Sequence, residues 1–221
     1  MVSLRDKCFA ILSIFETSQP FGGYDTIATA KGDKGGLSYG KHQASINSGN
    51  LFLLCEMYAS TPDSTHGKSF APYLPLLKRK STDLGHNREF LRLLKASAAD
   101  PVMQACQENF FERQFFIPAC KFAESQGLKL PLSTLVIFDS WVHGSLKRLF
   151  ATVPDSFETE KLRITGYVRI RKEWLASQPT QILRRTVYRT EAFLNLIKEN
   201  NWNLDLPFSI RGQLLTESDF R

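Results

Sequence analysis

One stretch of this chain departs from the helical period that the rest obeys. Gly32, Gly35, Gly36, Gly40 and Gly49 punctuate residues 24–50 and leave short segments at 25–30 and 37–39. Segments so short, bounded by glycine, read as a small antiparallel sheet or hairpin with irregular loops. Elsewhere apolar residues recur at three- and four-residue steps, which predicts helices over 51–58, 89–99, 101–126, 132–150, 158–178 and 180–199. Residues 61–82 read as a Pro-containing connection and 200–221 as a tail. The chain is therefore expected to be mainly α (α+β), with its one β element near the N-terminus.

The first helix is the most informative. Ser3-Leu4-Arg5-Asp6 has the form of a capping box, and Leu4, Cys8, Ile11, Leu12 and Phe15 follow at helical spacing. Phe9, Ala10 and Ile14 make the helix apolar nearly all round, so it is expected to be buried. It must stop before Pro20 and the Phe21-Gly22-Gly23 turn. Glu16 is then a carboxylate at the end of a buried apolar helix.

Composition narrows the class. In 221 residues, 43% are hydrophobic, and no apolar run approaches the roughly 18 residues a membrane helix needs. The first fifteen residues contain Asp6 and lack a cationic start and a small-residue cleavage site, so no signal peptide is expected. Cys8, Cys55, Cys106 and Cys120 are widely spaced among apolar neighbours and read as small core residues, not as metal ligands. His42, His66, His86 and His143 show no metal spacing, and His143 near Asp139 reads as structural. Gly35 to Lys41 fits a phosphate-loop string, but His42 stands where its Ser or Thr must be. Net charge is +6, and ten Lys or Arg face four acids over 161–211. That favours an anionic partner, yet no nucleic-acid motif or interleaved aromatic pattern accompanies it.

The residues that could carry chemistry are acids. Glu16, in an apolar setting, would have a raised pKa and stay protonated, whereas Asp33, in Lys31-Gly32-Asp33-Lys34-Gly35-Gly36, would stay ionised. Carboxyls whose pKa values are pushed apart suit glycoside hydrolysis, with one as acid and one as base or nucleophile. Ser38 offers a hydroxyl that could hold a water. On spacing alone the plainer reading is a helix-end Glu and a turn Asp.

In sequence order, Ile14-Phe15-Glu16, Tyr24, Asp33-Lys34-Gly35-Gly36-Leu37-Ser38, Asp100-Pro101-Val102-Met103-Gln104 and Phe115-Phe116-Ile117-Pro118-Ala119 come first. Phe138-Asp139-Ser140-Trp141-Val142-His143-Gly144, Glu191-Ala192-Phe193-Leu194 and Asn203-Leu204-Asp205-Leu206 follow. In this order and spacing they resemble the family 46 glycoside hydrolases, the chitosanases of the lysozyme-like superfamily. The resemblance implies a two-lobed fold with a cleft between its lobes, and one domain over 1–221 with lobes of about 1–60 and 61–221. It implies an inverting mechanism with Glu16 as general acid, Asp33 as general base and Ser38 positioning the water. Their carboxyls should then lie roughly 6.5–9.5 Å apart. It also implies a supporting charge network of Asp139, Arg171 and Arg185, and substrate contacts from Tyr24, Tyr39 and Gln43. No metal or organic cofactor is implied.

Two departures bear on the substrate. Gly35 stands where the family usually has Arg or Asp, and the spacing from Tyr24 to Asp33 is one residue off. The segment Gly36-Leu37-Ser38-Tyr39-Gly40-Lys41-His42-Gln43 looks like wall-degrading lysozyme-like domains of phage tails and bacterial toxins. Residues 1–50 hold four acids against five basic residues, a poor match for polycationic chitosan. The expected activity is therefore cleavage of β-1,4 bonds between amino sugars, with peptidoglycan ahead of chitosan and a non-catalytic glycan-binding module as the competing class. A muramidase of this kind would be an antibacterial effector, excised from or fused to a larger protein and acting on the cell wall in the periplasm or outside the cell. Delivery by a secretion machine, phage tail or lysis would replace a signal peptide. An immunity protein or fused delivery domains are the expected protein partners of an otherwise monomeric chain, with no nucleic acid and no membrane insertion.

Overall fold

The computed structural model describes residues 2–29, 36–154 and 156–220. Helix α1 (Leu4–Thr17) starts as its sequence dictates: Ser3 Oγ accepts from the Asp6 N–H at 3.1 Å and donates to Asp6 Oδ2 at 2.7 Å. Every residue from Cys8 to Phe15 is buried. Ser18, in the left-handed region at φ 63°, closes the helix by donating its N–H to the Ile14 carbonyl at 3.0 Å.

The chain then builds a three-stranded antiparallel sheet, in the order β1 (Ile27–Thr29), β2 (Leu37–Tyr39), β3 (Ala44–Ser45). Ser38 lies opposite Ala28 and Ser45. Because strand side chains alternate, Leu37 and Tyr39 point into the core and Ser38 points away. Four helices follow: α2 (Asn50–Ser60), α3 (Leu74–Lys78), α4 (Arg88–Ser97) and α5 (Pro101–Phe111). Leu37 and Tyr39 share one apolar cluster with Leu54, Tyr58, Phe90 and Phe110. Residues 61–113 therefore pack with the sheet, and the compact units divide the chain as 21–113 and as 1–20 with 114–221. The boundary expected near residue 60 is absent because α2 shares its core with α5.

The second unit continues with α6 (Ile117–Ser125), α7 (Pro131–His143), α8 (Leu146–Phe150), α9 (Glu160–Ala176), α10 (Gln181–Arg184) and α11 (Tyr188–Lys198), and ends in the hairpin β4 (Phe208–Ile210), β5 (Gln213–Leu215). Helix α7 is its centre: Leu132 to Ser140 are all buried. The Phe9 ring of α1 stacks on Phe138 at 5.7 Å and meets Phe116 edge-on at 5.6 Å. Each fully buried Phe or Leu of this kind contributes about 1.5–3 kcal/mol.

Three expected helices are interrupted, each for a local reason. The 101–126 segment widens into a π-helical turn over Glu112–Phe116 just before Pro118, whose ring crowds the carbonyl one turn back and which has no N–H to donate. The 132–150 segment breaks where Gly144 and Ser145 adopt φ 92° and 71°. The 180–199 segment passes through a 3-10 turn at Arg185–Val187. The hairpin at 208–215 was expected to be tail; its turn is the two residues Arg211 and Gly212, both at positive φ. Cys8, Cys55 and Cys106 are buried, Cys120 is partly so, and none forms a disulfide. Among the described residues no helix is long and apolar enough to cross a membrane.

Candidate active site

Glu16 occupies the last turn of α1, one residue past the buried stripe. Its carboxylate Oε1 accepts from Arg189 Nη2 of α11, and Arg189 Nη1 donates to Asp139 Oδ1 of α7 at 2.5 Å. The three side chains differ sharply in exposure: Glu16 is 44% exposed, Arg189 2% and Asp139 1%. Arg189 thus ties a buried carboxylate to one at the surface. Burial works against the Arg189 charge, but Asp139 and Glu16 outweigh it, and the guanidinium is held above its ordinary pKa. The expected apolar setting of Glu16 is not what forms: the apolar run ends at Phe15, and a guanidinium and solvent surround the carboxylate instead.

The end of α1 is itself held from α11 and the hairpin. Tyr188 donates its hydroxyl to the Phe15 carbonyl at 2.6 Å, and Arg211 Nη1 donates to the Ile14 carbonyl at 3.2 Å. A helix C-terminus carries partial negative charge, so cations there are favourable and a carboxylate such as Glu16 is not. Arg189 and Arg211 supply the compensation.

Arg171, on α9, is fully buried; it donates from Nη1 to the Gly144 carbonyl at 2.8 Å and pairs through Nη2 with His143 Nδ1 at 3.0 Å. A guanidinium cannot accept, so His143 Nδ1 is the acceptor and the ring is neutral. Burial, then Arg189, push His143 down to about 4, against the pull of Asp139. Arg171 and His143 therefore sit beside the Asp139–Arg189 pair, as the sequence suggested for Asp139 and Arg171. Arg185 does not belong: it lies exposed in the turn before α11. The second arginine of the network is Arg189. A signal for it exists in the sequence, since Arg189, Ala192, Phe193 and Leu196 fall on one helix face; a cation on a buried stripe requires a buried acid.

In the sheet-containing unit, Glu108 of α5 organises the loops after α1 and β2. Its Oε1 accepts from Lys41 Nζ at 2.7 Å and from the Tyr24 hydroxyl at 3.0 Å, while His42 Nε2 lies 3.6 Å from Oε2 and its ring stacks on Phe111 at 4.0 Å. Burial raises the Glu108 carboxyl, but His42 and Lys41 outweigh it and hold it well below the usual range. The buried Gln107 accepts from the Lys41 N–H at 2.9 Å and donates to the Tyr24 carbonyl at 3.0 Å.

Among the residues expected to touch substrate, Tyr24 is half-buried with its hydroxyl committed to Glu108. Gln43, at φ 53°, closes its own loop by donating to the Gly40 carbonyl at 2.9 Å. Tyr39 is a core residue: it is 0% exposed and its hydroxyl donates to the Leu94 carbonyl at 2.8 Å. Strand alternation, which turns Ser38 outward, buries its neighbour. Ser38 is half-buried on the face away from the core. Asp33 lies outside the described residues. Among those described, no group of three His, Cys, Asp or Glu side chains could hold a metal ion.

The model of glycosyl hydrolase family 46 matches residues 10–208 of this chain. A chitosanase from Bacillus subtilis (strain 168) is 24% identical over 204 residues, covering 81% of this chain and 72% of that protein. Two solved structures share the fold. A mutant chitosanase from Bacillus subtilis MY002 complexed with 6 GlcN superposes with a TM-score of 0.78 at 23% identity, over 94% of each chain. A family 46 chitosanase from Gynuella sunshinyii in complex with chitotetraose gives 0.79 at 21% identity, over 97% of each chain.

Proposed function

The chain belongs to glycosyl hydrolase family 46, and on that premise we propose that it hydrolyses the β-1,4 bonds of chitosan by an inverting mechanism, with Glu16 as general acid and Asp33 as general base. In such a mechanism one carboxylic acid protonates the leaving oxygen while a carboxylate activates a water on the opposite face of the sugar. The observation that carries the reading is the Glu16–Arg189–Asp139 chain at the end of α1. A half-exposed carboxylate anchored through a buried guanidinium is held in one orientation yet open to solvent, as a group that must meet substrate requires. Ser38, turned away from the core on β2, supports a role in holding the water.

The relatives favour chitosan over the peptidoglycan that the charge balance and the segment 36–43 put first: the Bacillus subtilis relative is a chitosanase, and the two solved chitosanases hold 6 GlcN and chitotetraose. Net charge governs encounter with a polymer and not the chemistry of the cleaved bond. One observation still favours peptidoglycan as a second reading. Arg88, Arg92 and Lys95 share a face of α4 and line a hollow of about 480 Å³ in which Asp25 is the one acid among the described residues. Such a hollow repels a glucosamine polymer and attracts carboxylate-bearing wall glycan. Either polymer lies outside the cytoplasm, so the proposal includes export of the enzyme. Parallel digestion of chitosan and purified peptidoglycan decides between them. Wild-type protein is expected to release glucosamine oligomers from chitosan, and Glu16→Gln none. Disaccharide-peptides ending in N-acetylmuramic acid would establish the second reading, and no release from either polymer would make the chain a glycan-binding module.

A further inference from the structure

The hairpin beyond residue 208 lies outside the stretch that the family model matches, yet its tip reaches the end of the helix that carries Glu16. Phe208, Ile210 and Leu215 are buried and anchor the hairpin, while the strands pair Ile210 with Gln213 and leave Arg211 and Gly212 as the whole turn. Arg211 stands at φ 50° and Gly212 at φ 77°. A two-residue turn with both residues left-handed is favoured by Asn-Gly, and a long side chain such as Arg at its first position is strained. The strain coincides with contacts made by the charged end of this long side chain. Arg211 Nη1 lies 3.2 Å from the Ile14 carbonyl and 3.5 Å from that of Phe15, and its Cζ sits 3.9 Å over the Tyr188 ring. Tyr188 in turn donates to the Phe15 carbonyl and is the residue before Arg189.

We propose that Arg211 is a positioning residue for Glu16: the C-terminal hairpin presents its guanidinium to the last carbonyls of α1 and locks the turn from which the Glu16 carboxylate projects. The proposal rests on Glu16 being the acid. Three properties favour it over a plain surface arginine. Its guanidinium adds a second donor to the Ile14 and Phe15 carbonyls at the helix end, which already accept from the Ser18 N–H and the Tyr188 hydroxyl. Its charge offsets the unfavourable helix-end field around Glu16. Its ring contact joins it to Tyr188, so the hairpin and the start of α11 grip the same turn. A carboxylate free to swing by about 1 Å loses much of its catalytic effectiveness.

Arg211→Asn is the informative variant, because Asn suits the left-handed position and keeps the hairpin while removing the guanidinium. On glucosamine hexamer it is expected to lower kcat roughly tenfold with KM unchanged within about twofold. Amide hydrogen exchange over residues 14–18 should quicken several-fold, with thermal stability equal to wild type or higher. Arg211→Lys, which can still donate to the carbonyls, should recover most of kcat, and Leu214→Ala on the same hairpin should match wild type. Unchanged exchange in Arg211→Asn would overturn the proposal whatever the substrate. Faster exchange with unchanged kcat would overturn it too, leaving Arg211 a mere cap. If wild-type protein cleaves no chitosan, the chitosanase reading fails separately, and exchange at the end of α1 still decides whether Arg211 holds that turn.

Discussion

Replacing Arg189 with Met and Asp139 with Leu, singly and together, separates what this pair does for folding from what it does for turnover. Asp139 is 1% exposed, and its Oδ2 has no hydrogen-bond partner, so Arg189 Nη1 on Oδ1 is what compensates its charge. Removing Arg189 alone leaves a buried, unpaired carboxylate, which costs about 3–5 kcal/mol. Removing Asp139 alone is milder, about 2 kcal/mol, because Arg189 keeps the half-exposed Glu16 as partner. The double change removes both charges of the buried pair, and Arg189 shares the buried face of α11 with Ala192, Phe193 and Leu196. Apolar replacement of a buried pair is often neutral, so the double variant should lie within about 2 kcal/mol of wild type, a coupling of about 3 kcal/mol or more. Urea unfolding followed by far-ultraviolet circular dichroism measures all four proteins. Turnover should not return with stability, since Glu16 has lost the group that holds it. Losses that add to within about 0.5 kcal/mol would refute the coupling, and a double variant with wild-type turnover would refute the role given to Arg189.

Further expectations follow from the same contacts. His143 is held at about 4 in the folded chain, against about 6.5 when unfolded, so only the unfolded state takes up the proton as pH falls through that interval. Stability is therefore complete above about pH 6.5 and declines by up to about 3 kcal/mol toward pH 4; melting temperatures across this range should fall for wild type and stay flatter for His143→Gln. Asp100 caps α5 by accepting from the Val102 N–H at 2.9 Å, and it also accepts from the Thr65 N–H and the Tyr58 hydroxyl; the Tyr58 bond foremost holds it at about 2. Its contribution is present above about pH 4 and lost as pH falls toward 2, and Asp100→Ala should cost about 2–4 kcal/mol in urea unfolding at pH 7. Gly40→Ala should destabilise by about 1–3 kcal/mol and disturb the Tyr24–Lys41 loops, because φ is 82° and a Cβ would collide with the Gln107 side-chain amide.

The place of Glu16 in the fold was largely legible in the sequence. The Ser3–Asp6 cap, the unbroken apolar run and the stop before Pro20 place Glu16 at a helix end, and Asp139 stands out as the one acid in an otherwise apolar helix. What failed did so for identifiable reasons. Tyr39, a substrate contact by the family resemblance, falls in the core because a period of two puts it on the face opposite Ser38. Arg185 and Arg189 are one turn apart on a continuous helix, and only the 3-10 turn at Arg185–Val187 leaves the first exposed and the second buried. The breaks at Gly144 and before Pro118 were visible as residue types but were overridden by strong periodicity on both sides. The closing hairpin was missed because Arg-Gly is not a customary turn pair. Its left-handed Arg211 makes sense only once the end of α1 is seen beside it.

The configuration of the first product reports most directly on whether Glu16 acts as the acid of an inverting hydrolysis. Proton nuclear magnetic resonance of glucosamine hexamer in the first minutes after adding enzyme distinguishes α from β reducing ends before they interconvert. With wild-type protein the α anomer is expected to appear first, and Glu16→Gln, folded to the same melting temperature, is expected to yield neither. A β anomer appearing first, or undiminished cleavage by Glu16→Gln, would contradict it.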